Sequence, residues 1–285
     1  MNRLLPGVLA AGVVLAGCAN APSLDSSHTV ARGAHYVAMG SSYAAGPGIT
    51  PTVVDAPARC SRSNGNYAHQ LARRRGLLLT DVSCSGATTA HVLGPWNELP
   101  AQLDALRVNT KLVTVTIGGN DLGYMGVLFG ASCLGLQRAG AGPQMTCSDV
   151  VLPTEQDYEG LAVRMRSIAK EVHRRSPDAR LVFVDYVTVL PPMGHCDAAP
   201  MSDADADQAR SVDARLRQIT AQVALENGAE LLDASAVTRG HDACAQDPWI
   251  NGFPRPDSPV LVVGFHPRLA GMKAVAHALD RLLAH

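Results

Sequence analysis

Four separated stretches carry residue types that can do chemistry together: Gly40-Ser41-Ser42-Tyr43-Ala44-Ala45-Gly46, Cys84-Ser85-Gly86-Ala87-Thr88-Thr89, Gly118-Gly119-Asn120-Asp121 and Gly264-Phe265-His266-Pro267. A serine hydroxyl is a weak nucleophile until a general base takes its proton, and histidine is the side chain best suited to that near neutral pH. Ser42 sits in a tight turn between glycines, which can present its hydroxyl while its own N–H faces a reacting carbonyl. His266 is the candidate base. Attack on a carbonyl creates an oxyanion that needs donors already in position. The N–H of Gly86 and the side-chain amide of Asn120 are the candidates, beside the N–H of Ser42. Glycine at 86 lets the backbone approach a substrate with no Cβ in the way. Singly, each stretch has a plainer reading as a turn serine, an asparagine cap or a histidine opening a helix. Together and in this order they point to acyl chemistry on a serine.

The elements that must position these stretches alternate along the chain. His35–Met39, Leu77–Val82 and Lys111–Ile117 predict strands that end at the first three stretches, and the last of these is β-branched almost throughout. Leu181–Val187 and Glu230–Asp233 predict two more. Tyr67–Arg75, capped by Asn64 or Asn66, reads as a helix, as do Pro100–Leu106, Glu155–Arg175, Asp203–Glu226 and Ala270–Leu283. This alternation predicts an α/β fold, a three-layer α/β/α sandwich on a mainly parallel five-stranded sheet. Open parallel sheets bind ligands where their strands end. Segments 123–153 and 239–262, rich in Gly, Pro and Cys, read as stapled surface loops. Asp203, Asp205 and Asp207 alternate like the start of a calcium loop, but Gln208 and Ala214 stand where that loop needs Gly and Glu. Acidic residues at a helix N-terminus explain them better.

The order Ser42, Gly86, Asn120, His266 resembles the four blocks of the SGNH hydrolases, also called GDSL esterases and lipases, over nearly the whole chain. The strings YAAGPG, CSGATT and TIGGND are similar to the secreted actinobacterial branch. The resemblance implies an SGNH, flavodoxin-like fold and a carboxylic-ester hydrolase acting through an acyl-enzyme on an ester substrate; with no phosphate-cradling or metal-ligand pattern in the sequence, no cofactor is expected. It also implies the disulfides Cys60–Cys84, Cys133–Cys147 and Cys196–Cys244. Two positions depart from the pattern. Ser41 stands where the family has Asp; Ser42 remains the expected nucleophile because it alone has the GxSxxxG register, with Ser41 as the alternative. Val263 stands three residues before the histidine, where the family's acid usually lies. A Ser–His dyad is therefore expected, with the main-chain carbonyl of Val263 orienting the imidazole and Asp247 or Asp257 as remote alternatives. The same site leaves open an envelope acyltransferase, and loss of the acid leaves open a non-catalytic envelope binding protein.

Composition sets the outer bounds. The 285 residues are 47% hydrophobic and 17% charged, which excludes a disordered chain. Lys plus Arg is 24, Asp plus Glu is 25 and aromatics are 4%, so nothing suggests a nucleic-acid groove. Arg3 followed by the apolar run Leu4–Ala16 reads as an export signal, too short for a permanent membrane span. Leu15-Ala16-Gly17-Cys18 resembles the lipobox of bacterial lipoproteins. The expected organisation is a signal peptide over residues 1–17, a tether over 18–33 beginning at a lipidated Cys18, and one domain over 34–285. A monomer held at the cell envelope by its lipid anchor, or secreted, is expected. Of seven cysteines, six then remain for an oxidising compartment, and their fifteen pairings are open on spacing alone. No spacing suits a structural zinc, so no metal is expected.

Overall fold

Five parallel strands form the framework: β1 (His35–Gly40), β2 (Leu78–Asp81), β3 (Thr110–Thr116), β4 (Arg180–Val184) and β5 (Glu230–Leu232), in the order β2-β1-β3-β4-β5. The computed structural model describes Met1 and residues 29–140, 146–255 and 262–285. Cys18, the expected signal peptide beyond Met1, most of the expected tether and Asp257 lie outside the described residues. In register, Val37 pairs with Thr80 on β2 and Val113 on β3, Val115 pairs with Phe183, and Val184 with Leu232. Strands covered on both faces read as near-continuous apolar runs, and β3 shows this: Leu112, Val113 and Val115 are fully buried. The threonines among them are satisfied rather than wasted. Thr114 bonds the Tyr36 hydroxyl at 2.7 Å and Thr116 bonds that of Tyr67 at 2.9 Å.

The helices are α1 (Ser42–Ala45), α2 (Tyr67–Arg75), α3 (Thr89–Leu93), α4 (Tyr124–Arg138), α5 (Glu155–Arg175), α6 (Asp203–Glu226), α7 (Ala234–Val237) and α8 (Leu269–Leu282). They fall into two packed groups, α2 with α8 and α3 to α6 with one another, which form the outer layers around the sheet. The two longest start on reciprocal caps. Thr154 accepts from Asp157 N–H while Asp157 bonds back, and Ser202 and Asp205 do the same. Asp205 is thus a capping residue, which disposes of the calcium-loop resemblance. Asn66, not Asn64, caps α2, accepting from His69 N–H at 3.0 Å, and Gly76 at φ 65° ends it.

Three expectations change. Strand β4 stops at Val184 rather than Val187, because the Asp185 carboxylate turns to accept the N–H groups of Ala234 and Ser235. Only Gln102–Ala105 of the expected helix over Pro100–Leu106 is helical, as a 3-10 turn. The segment expected as loop over 123–153 begins with α4, fifteen residues long. Its glycines hid it, since glycine weakens a helix. At Gly135 a β carbon would stand 1.8 Å from the Pro200 carbonyl oxygen, so glycine is required for α4 to pack there.

Candidate active site

Ser42 is the first residue of α1, immediately past the end of β1. Gly40 makes that sharp exit possible: its φ is 138°, and a β carbon would lie 2.3 Å from the Thr116 carbonyl oxygen. Ser41 N–H donates to the same oxygen at 2.9 Å, which ties the turn to β3. Gln102 clasps Gly40 from the other side, accepting its N–H at 2.7 Å and donating to its carbonyl at 3.0 Å. The hydroxyl of Ser42 is held on rigid backbone and is nearly buried.

His266 meets it from the other end of the chain. Its Nε2 lies 2.8 Å from Ser42 Oγ and its Nδ1 lies 2.7 Å from the Gly264 carbonyl oxygen. A carbonyl only accepts, so Nδ1 carries the proton and Nε2 presents its lone pair to the serine. Burial pushes the histidine below its ordinary pKa, opposed by the bond to Gly264, which favours the protonated ring. The orienting acceptor is therefore Gly264, not Val263. The carbonyl of Val263 is turned away to accept Asn251 Nδ2 at 3.1 Å. That correction follows from the local backbone. Phe265 takes a left-handed conformation, φ 56°, which reverses the chain between 264 and 266 and brings the Gly264 oxygen under the ring. Asp247 is not beside the histidine either; it accepts from Trp249 Nε1 at 3.1 Å.

A left-handed phenylalanine costs roughly 1–3 kcal/mol, so its surroundings must hold it. Phe265 is fully buried against Phe129 and Phe253, with ring centroids 5.5 and 6.3 Å away. Its N–H donates to the Asn251 carbonyl, and the His266 carbonyl accepts Asn251 N–H at 2.9 Å. The Tyr43 hydroxyl, one residue beyond the serine, donates to the Phe265 carbonyl at 2.5 Å and joins the two loops directly. Segment 239–262, expected only as a stapled loop, thus includes the Asn251 brace for the histidine.

The two remaining stretches stand together. Gly86 has φ 84° and is exposed, and a β carbon there would meet Trp96 at 3.2 Å. Asn120 donates through Nδ2 to the Ala87 carbonyl at 2.8 Å, so its side chain is fixed beside the Gly86 turn. Asp121 holds the same pair of turns from below. It accepts Thr89 N–H at 3.0 Å, bonds the Thr89 hydroxyl and pairs with Arg164 at 3.3 Å. Ser41, the departure before the nucleophile, bonds the Tyr186 hydroxyl at 3.2 Å. That hydroxyl in turn accepts the N–H of Gly119 at 2.9 Å. Sequence reasoning assigned no role to Tyr43, although it lies within the first stretch, and missed Gln102, Tyr186, Asn251 and Arg164, each an isolated polar residue with no motif around it. Among the described residues no group of three or more His, Cys, Asp and Glu could hold a metal ion.

All six remaining cysteines pair, as Cys60–Cys84, Cys133–Cys147 and Cys196–Cys244, which are the pairs the resemblance implies. Residues 38–274 match the model of the GDSL-like lipase/acylhydrolase family. The chain is 31% identical to Lipase 2 of Streptomyces coelicolor over 99% of its own length and 97% of the relative's. It is 26% identical to a lipase of Streptomyces rimosus, with 83% of this chain and 81% of that one covered. Among solved structures, the extracellular lipase of Streptomyces rimosus is 25% identical with a TM-score of 0.67, covering 87% of this chain and 99% of that one. The phospholipase A1 of Streptomyces albidoflavus shares the fold at 24% identity and a TM-score of 0.69, with 87% and 99% covered. With its five-stranded parallel sheet and its four blocks in order, the chain belongs to the GDSL-like lipase/acylhydrolase family and is an ester hydrolase of the lipase and esterase type.

Proposed function

We propose that hydrolysis runs through an acyl-enzyme on Ser42 with His266 as its only side-chain base. The observation that carries this is the pair of contacts on one imidazole, Ser42 Oγ at Nε2 and the Gly264 carbonyl at Nδ1. As the Ser42 oxygen forms its bond to the ester carbonyl carbon, Nε2 takes the hydroxyl proton. The developing oxyanion is held by the N–H groups of Ser42 and Gly86 and by Asn120, whose amide has a second N–H besides the one on Ala87. The imidazolium then gives its proton to the leaving alcohol, and water, activated by the same nitrogen, releases the acid. The Gly264 dipole fixes the tautomer but supplies less charge than a carboxylate would. Ser42→Ala abolishes turnover of short acyl esters with the fold retained, and a fluorophosphonate labels the wild type at Ser42. Full turnover by Ser42→Ala, or labelling elsewhere, refutes the assignment.

We further propose that the chain acts outside the cytoplasm, tethered through a lipidated Cys18. Three disulfides support an oxidising compartment, and they account for every cysteine of the sequence but Cys18. Among the described residues no helix is long and apolar enough to cross a membrane. One domain over 34–285, acting as a monomer, fits a site assembled wholly within one chain. Radiolabelled fatty acid enters the wild type and not Cys18→Ala when both are expressed in a bacterium that makes lipoproteins; equal labelling rules the anchor out.

A further inference from the structure

In a parallel sheet all strands begin at one edge and end at the other. Ser42 stands at the edge where they end, and residues 29–33 enter the domain at the edge where they begin. That entry is pinned: Gly33 N–H donates to the Gly76 carbonyl at 2.8 Å, and the Val30 carbonyl accepts from Arg75 at 3.5 Å. The last turns of α2 and α8 meet at the same edge, since Arg75 also donates to the Leu283 carbonyl at 3.3 Å. Strand β1 has six residues, so the two edges lie about 20 Å apart.

The entry edge carries a surplus of positive charge. Its carboxylates are paired: Asp280 is shared by Arg74 and Arg75 at 3.1 and 3.0 Å, Asp178 holds Lys111 at 2.9 Å and Glu230 holds Arg180 at 2.7 Å. Arg32 packs on Gly76, and the Arg107 guanidinium donates to the main-chain carbonyls of Asp104 and Leu106. Among the described residues, neither of these two arginines pairs with a carboxylate. Two apolar side chains stand beside them, Leu78 at 54% exposed and Val108 at 73%. The register brings these close, because His35 pairs with Leu78 on one side and, on the other, with Thr110, two residues past Val108. The opposite edge has the other sign: α5 opens on Glu155 and Asp157, and α6 on Asp203 and Asp205. Helix dipoles favour that sorting at helix ends, but Arg32 and Arg107 lie outside the helices.

Twelve residue steps join Cys18 to Val30 and span at most about 40 Å, so an anchor at Cys18 does not by itself fix which edge meets the bilayer. We infer that the entry edge rests on the anionic phospholipid headgroups of the anchoring bilayer, with Ser42 turned away from it toward esters arriving from solution. The inference rests on the lipidated Cys18 proposed above. Each unpaired arginine near an anionic surface favours this orientation roughly fivefold, and salt screens the effect.

The test adds lipidated wild type, purified in detergent, to vesicles of phosphatidylcholine alone or mixed equally with phosphatidylglycerol, and follows amide hydrogen exchange. On the mixed vesicles exchange slows several-fold over 29–34, 76–79 and 106–110 and recovers in high salt. It is unchanged over 52–56 and 191–197, in the loops that follow β1 and β4. Arg32→Glu and, independently, Arg107→Glu each shift the balance about 25-fold and abolish the slowing, with turnover of a soluble acetate ester unchanged. Arg107→Lys retains it. Equal exchange on the two vesicles, slowing over 52–56 and 191–197 instead, or slowing that survives both reversals overturns the inference. Slowing of the entry-edge segments without vesicles as protein concentration rises identifies a second copy as the occupant and overturns it too. Failure of the anchor reading looks different: the wild type then washes off phosphatidylcholine vesicles, and the inference falls with it.

Discussion

At the residue scale, replacing the family's aspartate with Ser41 removes a charge and leaves a relay of hydroxyls. Ser41 reaches Tyr186, and Tyr186 takes the Gly119 N–H, so the turn bearing the nucleophile and the turn bearing Asn120 share one phenol. Tyr186→Phe removes that acceptor and leaves two buried polar groups unpaired. A typical buried hydrogen bond is worth about 1 kcal/mol, and in the transition state that is roughly fivefold in rate. The expected outcome is a kcat about fivefold lower with KM unchanged, because Asn120 loses its aim while substrate binding surfaces remain. An equal rise in KM would assign Tyr186 to binding instead. His266 makes a second residue-scale prediction. Catalysis needs its neutral ring, and burial lowers its folded pKa below the ordinary value of about 6.5. The acid limb of kcat/KM therefore falls below pH 6.5. Stability has the same sign: below about 6.5 the unfolded chain binds the proton first, so this contribution is present above that pH and is lost as pH falls through the folded pKa. A pH–rate profile with its acid midpoint above 6.5 contradicts this.

At the element scale, what the sequence discloses depends on whether an element announces itself. The starts of α5 and α6 are legible because Thr154 with Asp157 and Ser202 with Asp205 are capping pairs, and β3 is legible from its β-branched run. The end of β4 is not, since it depends on a carboxylate finding N–H groups about fifty residues away. Likewise the acceptor for His266 depends on a left-handed Phe265 that only tertiary packing sustains. Helix α4 is illegible for the opposite reason: Gly126, Gly130 and Gly135 argue against a helix, yet two of them are there to be touched. Propensity alone has Gly→Ala gaining up to about 1 kcal/mol in a helix interior. Gly126 has open space around it, so Gly126→Ala raises the melting temperature. At Gly135 the β carbon would fall within 1.8 Å of the Pro200 oxygen, and overpacking of that kind costs about 1–3 kcal/mol. Gly135→Ala therefore lowers it. Thermal melts of the two variants should move in opposite directions; a shared direction would mean that packing on 198–201 does not decide the sequence of α4.

At the scale of the whole molecule, the proposed active centre joins residues 224 apart in sequence, and what closes that distance is a set of braces more than the sheet itself. The four blocks and their order were readable because they are contiguous motifs. The braces were not, because each is a contact between single residues of distant segments. The disulfide Cys196–Cys244 belongs to this set. It spans 48 residues and anchors the turn at 196–200, where Ala198 accepts the Phe253 N–H at 2.7 Å, two residues beyond the Asn251 that holds His266. Cys133–Cys147 spans 14 residues and ties α4 to its own following loop, with no covalent link to the turn at 196–200. In the chain-entropy view the longer loop stabilises by about 1 kcal/mol more than the shorter. Replacing Cys196 and Cys244 by Ala should therefore lower the melting temperature more than replacing Cys133 and Cys147. The kinetic difference should be larger still. Freed from its anchor, the turn at 196–200 relaxes against residues 251–253, Asn251 loses its fixed place, and the Gly264 carbonyl drifts from Nδ1. The 196/244 variant should lose kcat at temperatures where its fold is intact by circular dichroism, whereas the 133/147 variant should keep it. Equal kcat in the two variants at such a temperature would show that the histidine loop holds its shape without the covalent brace.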